Sequence, residues 1–262
     1  MSEVGKLFLA TFIVGLVTSG LRIRFDRFFA ILLLMFIMGK TIFASINIFL
    51  WIILFGALYV LLTNINKILA MPKKDLAKRL TMIPLLTAIA TLVGSYFYSS
   101  ASARVLSITL GILAVLYGLR LIFIHFNEHE LKYNEPRKGF EPFCALFGPL
   151  VSGLSLGFVG TSLKPLKIPF AVKLGKMNMQ KVYLGNTITA FFASLFAIIW
   201  HNAFFAASGG ISLLDSILYG AAFWTLTHYF AEITNLFFKD SWRKPFQILI
   251  GIVLLAASLK LF

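Results

Sequence analysis

The sequence predicts an all-α polytopic membrane protein made of two inverted-topology repeats of about five helical elements each, with short or broken helices near the membrane midplane. Three observations carry that prediction. First, 59% of the 262 residues are hydrophobic, 13% are charged and the mean hydropathy is +0.89, more apolar surface than a soluble globule of this size can hide. Second, apolar stretches near the roughly 20 residues that cross a bilayer recur along the chain. Third, the charge of the connections alternates. The stretch 64–79 carries Lys67, Lys73, Lys74, Lys78 and Arg79 against Asp75, and 239–244 carries Lys239, Arg243 and Lys244, whereas 201–210 has neither Lys nor Arg. By the positive-inside rule the first two are cytoplasmic and the third is external.

In order, residues 6–21 form the first apolar segment. Its charges, Arg22, Arg24 and Arg27, follow it rather than precede it and it has no small-residue cleavage site, so it reads as a retained helix and not a signal peptide. A short apolar run, 28–39, precedes a spanning stretch at 41–63. Two further spans, 80–98 and 103–126, are joined by the polar turn SSAS, which suits the outer side. Residues 127–142 mix Glu128, Glu130, Glu135 and Glu141 with Lys132, Arg137 and Lys138, and read as a hydrophilic linker. The second half repeats the rhythm with 143–160, 168–175, 182–200, 212–234 and 245–262. The expected organisation is therefore a membrane repeat at 1–126, a linker at 127–142 and a second repeat at 143–262. Whether the runs 28–39 and 168–175 cross or re-enter is open at this level.

A shift of 141 positions without gaps places Phe29 on Phe170, Ala30 on Ala171, Leu33 on Leu174, Met38 on Met179, Lys40 on Lys181, Leu54 on Leu195 and Phe55 on Phe196. In so apolar a chain several such identities arise by chance. The repeated order of elements and the opposed loop charges weigh more, and they point to a duplication with inverted topology.

Inverted repeats place a substrate near the midplane, where discontinuous helices point their ends at it. The stretch 153–189 fits that role. It holds Gly157 and Gly160, Pro165 and Pro169, and Lys164, Lys167, Lys173, Lys176 and Lys181, and broken backbone is tolerated at membrane depth only where protein or a wet cavity satisfies it. Amide groups at a helix start, with Thr161, Ser162 and Lys164 beside them, would receive an anion. The counterpart in the first half is the arginine-rich turn with Arg22 and Arg24. Asn186 and Thr187 open one span, Ser45 and Asn47 open its repeat mate, and uncharged donors there could bind an anion without trapping it. The plainer readings are that the lysines fix topology or snorkel to headgroups, that the glycines pack helices closely and that the amide and hydroxyls bond between helices.

His228 and Glu232, one helical turn apart, are the candidate pair for proton coupling, though Glu232 also suits a simple interfacial position. Arg120, near the end of its span, is expected to snorkel. His125, Glu128 and His129 match H-x-x-E-H, a zinc-protease pattern, but it sits where a span meets the linker, without the soluble structure a peptidase requires. The sequence has no P-loop and no CxxC, and Cys144 is its single cysteine. No cofactor and no metal are expected. The net charge of +14 sits in short loops between apolar runs, so it marks topology and not nucleic-acid binding. The partners expected are a small anion and the lipid bilayer, and a homodimer is compatible with the sequence.

One family shares this pattern. A helix ending in GFVGTS at 157–162, the Pro-led run IPFAVKLG at 168–175 and GNT at 185–187 resemble the TauE/SafE family of sulfite and organosulfonate exporters; the first half carries a worn version, SGLRIRFDRFFAILL at 19–33 and ASIN at 44–47. The chain departs from the family's run of consecutive glycines, with Thr161 and Ser162 after Gly160 and arginines in the first half. The resemblance implies a secondary transporter that exports sulfite or an organosulfonate across the cytoplasmic membrane by alternating access. The alternatives are an intramembrane enzyme acting on an anionic lipid or head group, and a non-transporting membrane assembly subunit.

Overall fold

The structure, a computed structural model, describes residues 1–21, 28–70, 73–125, 136–204 and 211–262. The helices are α1 (Glu3–Gly20), α2 (Phe28–Phe36), α3 (Ile42–Thr63), α4 (Ile65–Leu69), α5 (Lys73–Ser100), α6 (Ala103–Phe123), α7 (Phe140–Val159), α8 (Lys164–Pro169), α9 (Met179–Ile199), α10 (Leu213–Phe237) and α11 (Asp240–Ser258). Two π-helical turns, Phe170–Leu174 and Trp200–Phe204, continue α8 and α9. No strand occurs among the described residues. Among the described residues, six helices are long and apolar enough to cross a membrane: α1, α3, α5 from Leu80, α6, α7, and α9 with its π turn. The protein is an all-α, multi-pass membrane protein.

The two short runs have too little length to cross. α2 has 9 residues, about 14 Å at 1.5 Å per residue, against a hydrocarbon core of about 30 Å. α8 has 6 residues and its π turn 5, about 16 Å together. Composition explains the break after α8: Pro165 sits in its first turn, where a missing N–H costs nothing, but Pro169 has no amide to continue the ladder, and the backbone widens into a π turn.

The chain folds into two compact units that each take helices from both halves of the sequence: Met1–Ile52, Ala101–His125 and Ser208–Phe262 in the first, Ile53–Ser100 and Phe126–Ala207 in the second. In the first unit α1 packs on α10 and α6 on α11. Phe12 meets Phe230 edge-on with ring centroids 5.5 Å apart, and Thr234 donates to Ser19 Oγ at 2.8 Å. Arg120 is 4% exposed, so the expected snorkelling does not occur. Its register accounts for this, since it lies three residues beyond Tyr117 and seven beyond Leu113, both on the buried face of α6.

In the second unit α5 packs along α7, and α9 packs against both. Glycine makes the α5–α7 crossing close. A Cβ on Gly157 would stand 2.9 Å from Ser95 N and closer still to the Thr91 carbonyl oxygen, so the helices touch backbone to backbone. At Gly148, also in α7, a Cβ would meet nothing within 4 Å. Gly157→Ala is therefore expected to lower stability by about 1–3 kcal/mol and Gly148→Ala to hold or raise it, as read from thermal unfolding in detergent.

Candidate functional site

The second unit holds a cavity of about 620 Å³. Its walls follow from helical periodicity. Asn178 caps α9 by accepting the amides of Gln180 at 3.0 Å and Lys181 at 3.2 Å, which fixes the register so that Lys181, Gly185, Asn186 and Thr189 fall on one face and line the cavity. On α7 the matching face is Glu141, Cys144, Ala145, Gly148 and Val151, with Phe143 and Phe147 adding aromatic surface. Lys167 and Phe170 close it from the α8 segment, and Met82 and Ile83 from α5.

Polar groups mark the inner part of this space. Pro149 has no N–H, so the Ala145 carbonyl lacks its i+4 donor at a cavity-lining position. Lys167 Nζ donates to the Gly148 carbonyl oxygen at 3.2 Å and to Ser152 Oγ, which holds a cation against the α7 backbone. Asn186 donates one amide hydrogen to Val182 O at 2.9 Å, leaving the rest of its carboxamide at the wall. Glu141 and Lys181 lie in the first turns of α7 and α9, both exposed, and form the outer part of the lining.

The break between α7 and α8 is packed rather than looped out. Gly160 ends α7 with φ +70°, a left-handed cap that glycine adopts without penalty. Thr161 and Ser162 are buried. Lys164 is only 9% exposed, and its ammonium sits 4.3 Å from the centre of the Tyr183 ring, a cation–π contact. The amides of Leu166 and Lys167 donate to Leu163 O, and Pro165 has none.

Of the residues singled out from sequence, Asn186 lines the cavity. Gly157, Gly160, Thr161, Ser162, Lys164 and Thr187 belong to the same unit but are not part of that lining. Ser45 and Asn47 are buried in the first unit, and the Ser45 hydroxyl has no hydrogen-bond partner among the described residues. Arg22 and Arg24 lie outside the described residues, as do Glu128 and His129 of the H-x-x-E-H pattern. His228 Nε2 and Glu232 Oε1 are 3.2 Å apart, with the carboxylate side chain 64% exposed. In the first unit Lys40 Nζ donates to Glu3 Oε1 at 2.7 Å and to Tyr219 Oη at 3.2 Å, and Tyr219 donates to the same Glu3 oxygen at 2.6 Å. Burial pulls the Lys40 amine down, but its hydrogen bonds with Glu3 and Tyr219 outweigh that and leave its pKa above the usual lysine value.

Sequence reasoning missed His201, placed there in an external loop. It is fully buried in the π turn after α9, stacked on Tyr98 with centroids 4.0 Å apart, and its Nε2 donates to Gly157 O at 2.7 Å. Gly157 O is among the last carbonyls of α7, whose ladder ends at Gly160, so the imidazole caps that helix. A lone histidine directly after an apolar span, flanked by Trp200 and no charge, was the available signal.

Apolar spans, helices that stop short of crossing and a cavity with cationic and amide groups together define a multi-pass membrane protein of the transporter class. The family model described as Sulfite exporter TauE/SafE matches residues 7–261, and the chain belongs to that family. Neither the curated proteins nor the solved structures give a match. Membership makes the protein a transporter by family rather than an enzyme.

The histidine cap is directly testable. His201→Ala is expected to cost about 1–3 kcal/mol, the desolvation of an orphaned buried carbonyl, and His201→Gln, which keeps a donor, less. Thermal unfolding of the two variants in the same detergent measures the difference.

Proposed function

We propose that the protein exports an organosulfonate across the cytoplasmic membrane as a secondary transporter working by alternating access, and that the anion sits in the cavity of the second unit between Lys167 and Asn186. The observation that carries this is the pairing of a cation and an amide with an aromatic wall in a single space of about 620 Å³. Sulfite has four heavy atoms and needs little more room than a few waters at about 30 Å³ each. A cavity in the size range of small-molecule sites, walled by Phe143, Phe147, Phe170 and Met82, suits an anion with an apolar body. The sulfonate oxygens would take the Lys167 ammonium and the Asn186 amide, and the body would lie on the phenylalanines.

Export needs no dedicated coupling group on this reading. A membrane potential negative inside favours the exit of each negative charge by about 2.3 kcal/mol per 100 mV. The His228–Glu232 pair, whose carboxylate side chain is 64% exposed, then has no required part in coupling.

A thermal-stabilisation screen of the purified protein tests the assignment, since a ligand that binds only the folded state raises its apparent stability. Alkyl and aryl sulfonates are expected to stabilise more than sulfite at equal concentration. Lys167→Gln and Asn186→Ala are each expected to weaken that binding about tenfold, the loss of one charge-assisted or buried hydrogen bond. Absence of stabilisation by every sulfonate, in protein that remains folded, would overturn the assignment.

A further inference from the structure

We infer that Glu141 and Lys181 are a closing ion pair for the cavity of the second unit, and that Glu3, Lys40 and Tyr219 in the first unit are the same device seen closed. This rests on the alternating-access reading above and goes beyond it by naming the groups that alternate.

Two independent correspondences support it. Lys181 stands 141 positions after Lys40, in the same shift that aligns Phe29 with Phe170 and Met38 with Met179. Glu3 lies in the first turn of α1 and Glu141 in the first turn of α7, the helices that open the two halves. In the first unit the acid and the base meet at 2.7 Å, and Tyr219 from α10 binds both. In the second unit Glu141 and Lys181 line one cavity, and neither makes an ion pair or side-chain hydrogen bond with another described residue.

The groups behind each pair differ in the same sense. Asn186, behind Lys181, faces the cavity. Its counterpart under the same shift is Ser45, behind Lys40, and Ser45 is fully buried with an unpartnered hydroxyl among the described residues. A stranded buried hydroxyl is unfavourable in itself and is what a binding wall looks like once its space has closed. The two units are therefore one module in two states, and the transport cycle exchanges them: the Glu3–Lys40–Tyr219 cluster opens as Glu141 and Lys181 meet.

Cys144, the single cysteine, lines the cavity and reports its state. The measurement is the rate at which a small water-soluble maleimide modifies Cys144 in purified, folded protein. Loss of the closed cluster shifts the population toward the state with the second cavity shut, so Glu3→Gln is expected to slow modification about two- to fivefold, the range an exposed ion pair can move an equilibrium. Tyr219→Phe, which removes one oxygen and is the milder change, is expected to act in the same direction to a smaller extent. The double variant Glu3→Gln with Lys181→Gln is expected to return to the wild-type rate, because the second pair can no longer form. Unchanged rates in both Glu3→Gln and Tyr219→Phe, or a double variant as slow as Glu3→Gln alone, would overturn the pairing. The assay contains no substrate, so its failure leaves the sulfonate assignment standing, and failure of sulfonate binding leaves this pairing open to the same test.

Discussion

A helix that ends against packed apolar side chains leaves its last carbonyl groups without donors, and neither those side chains nor lipid offers one. Much of this structure answers that constraint with side chains from distant helices. His201 donates to Gly157 O at the end of α7, and Arg243 to Ser19 O in the last turn of α1 at 2.8 Å. Gln247 donates to Leu121 O and Ile124 O at the end of α6, at 2.9 and 3.1 Å. Lys167 reaches Gly148 O within α7 next to Pro149. A buried carbonyl left unsatisfied costs about 1–3 kcal/mol, so losing a few of these caps is comparable with a net stability of about 5–15 kcal/mol. Cationic side chains also suit helix C-termini, where the backbone dipole is negative.

The same constraint produces the site. A continuous spanning helix presents a sealed backbone and only its side chains. The broken α7–α8 segment instead brings Lys167 and a proline-interrupted face of α7 to a cavity that Asn186 and Lys181 reach from α9. The lysines of this stretch then divide their work by depth. Lys164 is enclosed against Tyr183, Lys167 is held on the α7 backbone, and Lys181 lies in the exposed first turn of α9. Lys176 adopts φ +49° in the turn that leads into α9, a connecting role rather than a binding one.

The long helices were legible because their signal is local. Apolar runs of spanning length at 41–63, 80–98 and 103–126 became α3, α5 and α6 with shifts of a few residues, apart from a seven-residue N-terminal extension of α5 to Lys73. The shortness of 28–39 and 168–175 was also visible, and with it the prospect of re-entrant elements. The caps were not legible, because each joins residues far apart in the chain: His201 and Gly157 are separated by 44 positions, Arg243 and Ser19 by 224. Gly157 shows the limit well. Its position beside a helix break was readable, but its backbone contact with Thr91 and Ser95 depends on α5 lying alongside. Arg120 shows the reverse: end-of-span position suggested the interface, and helical register put it inside.

The proposed export requires that this chain alone carry a sulfur anion across a bilayer, with its broken helices supplying the path. Flux through purified protein in liposomes under an imposed potential of about 100 mV measures that most directly. Protein-dependent, potential-driven movement of an organosulfonate out of the vesicles is the expected result. Folded protein that moves neither sulfite nor any sulfonate faster than empty liposomes would contradict it.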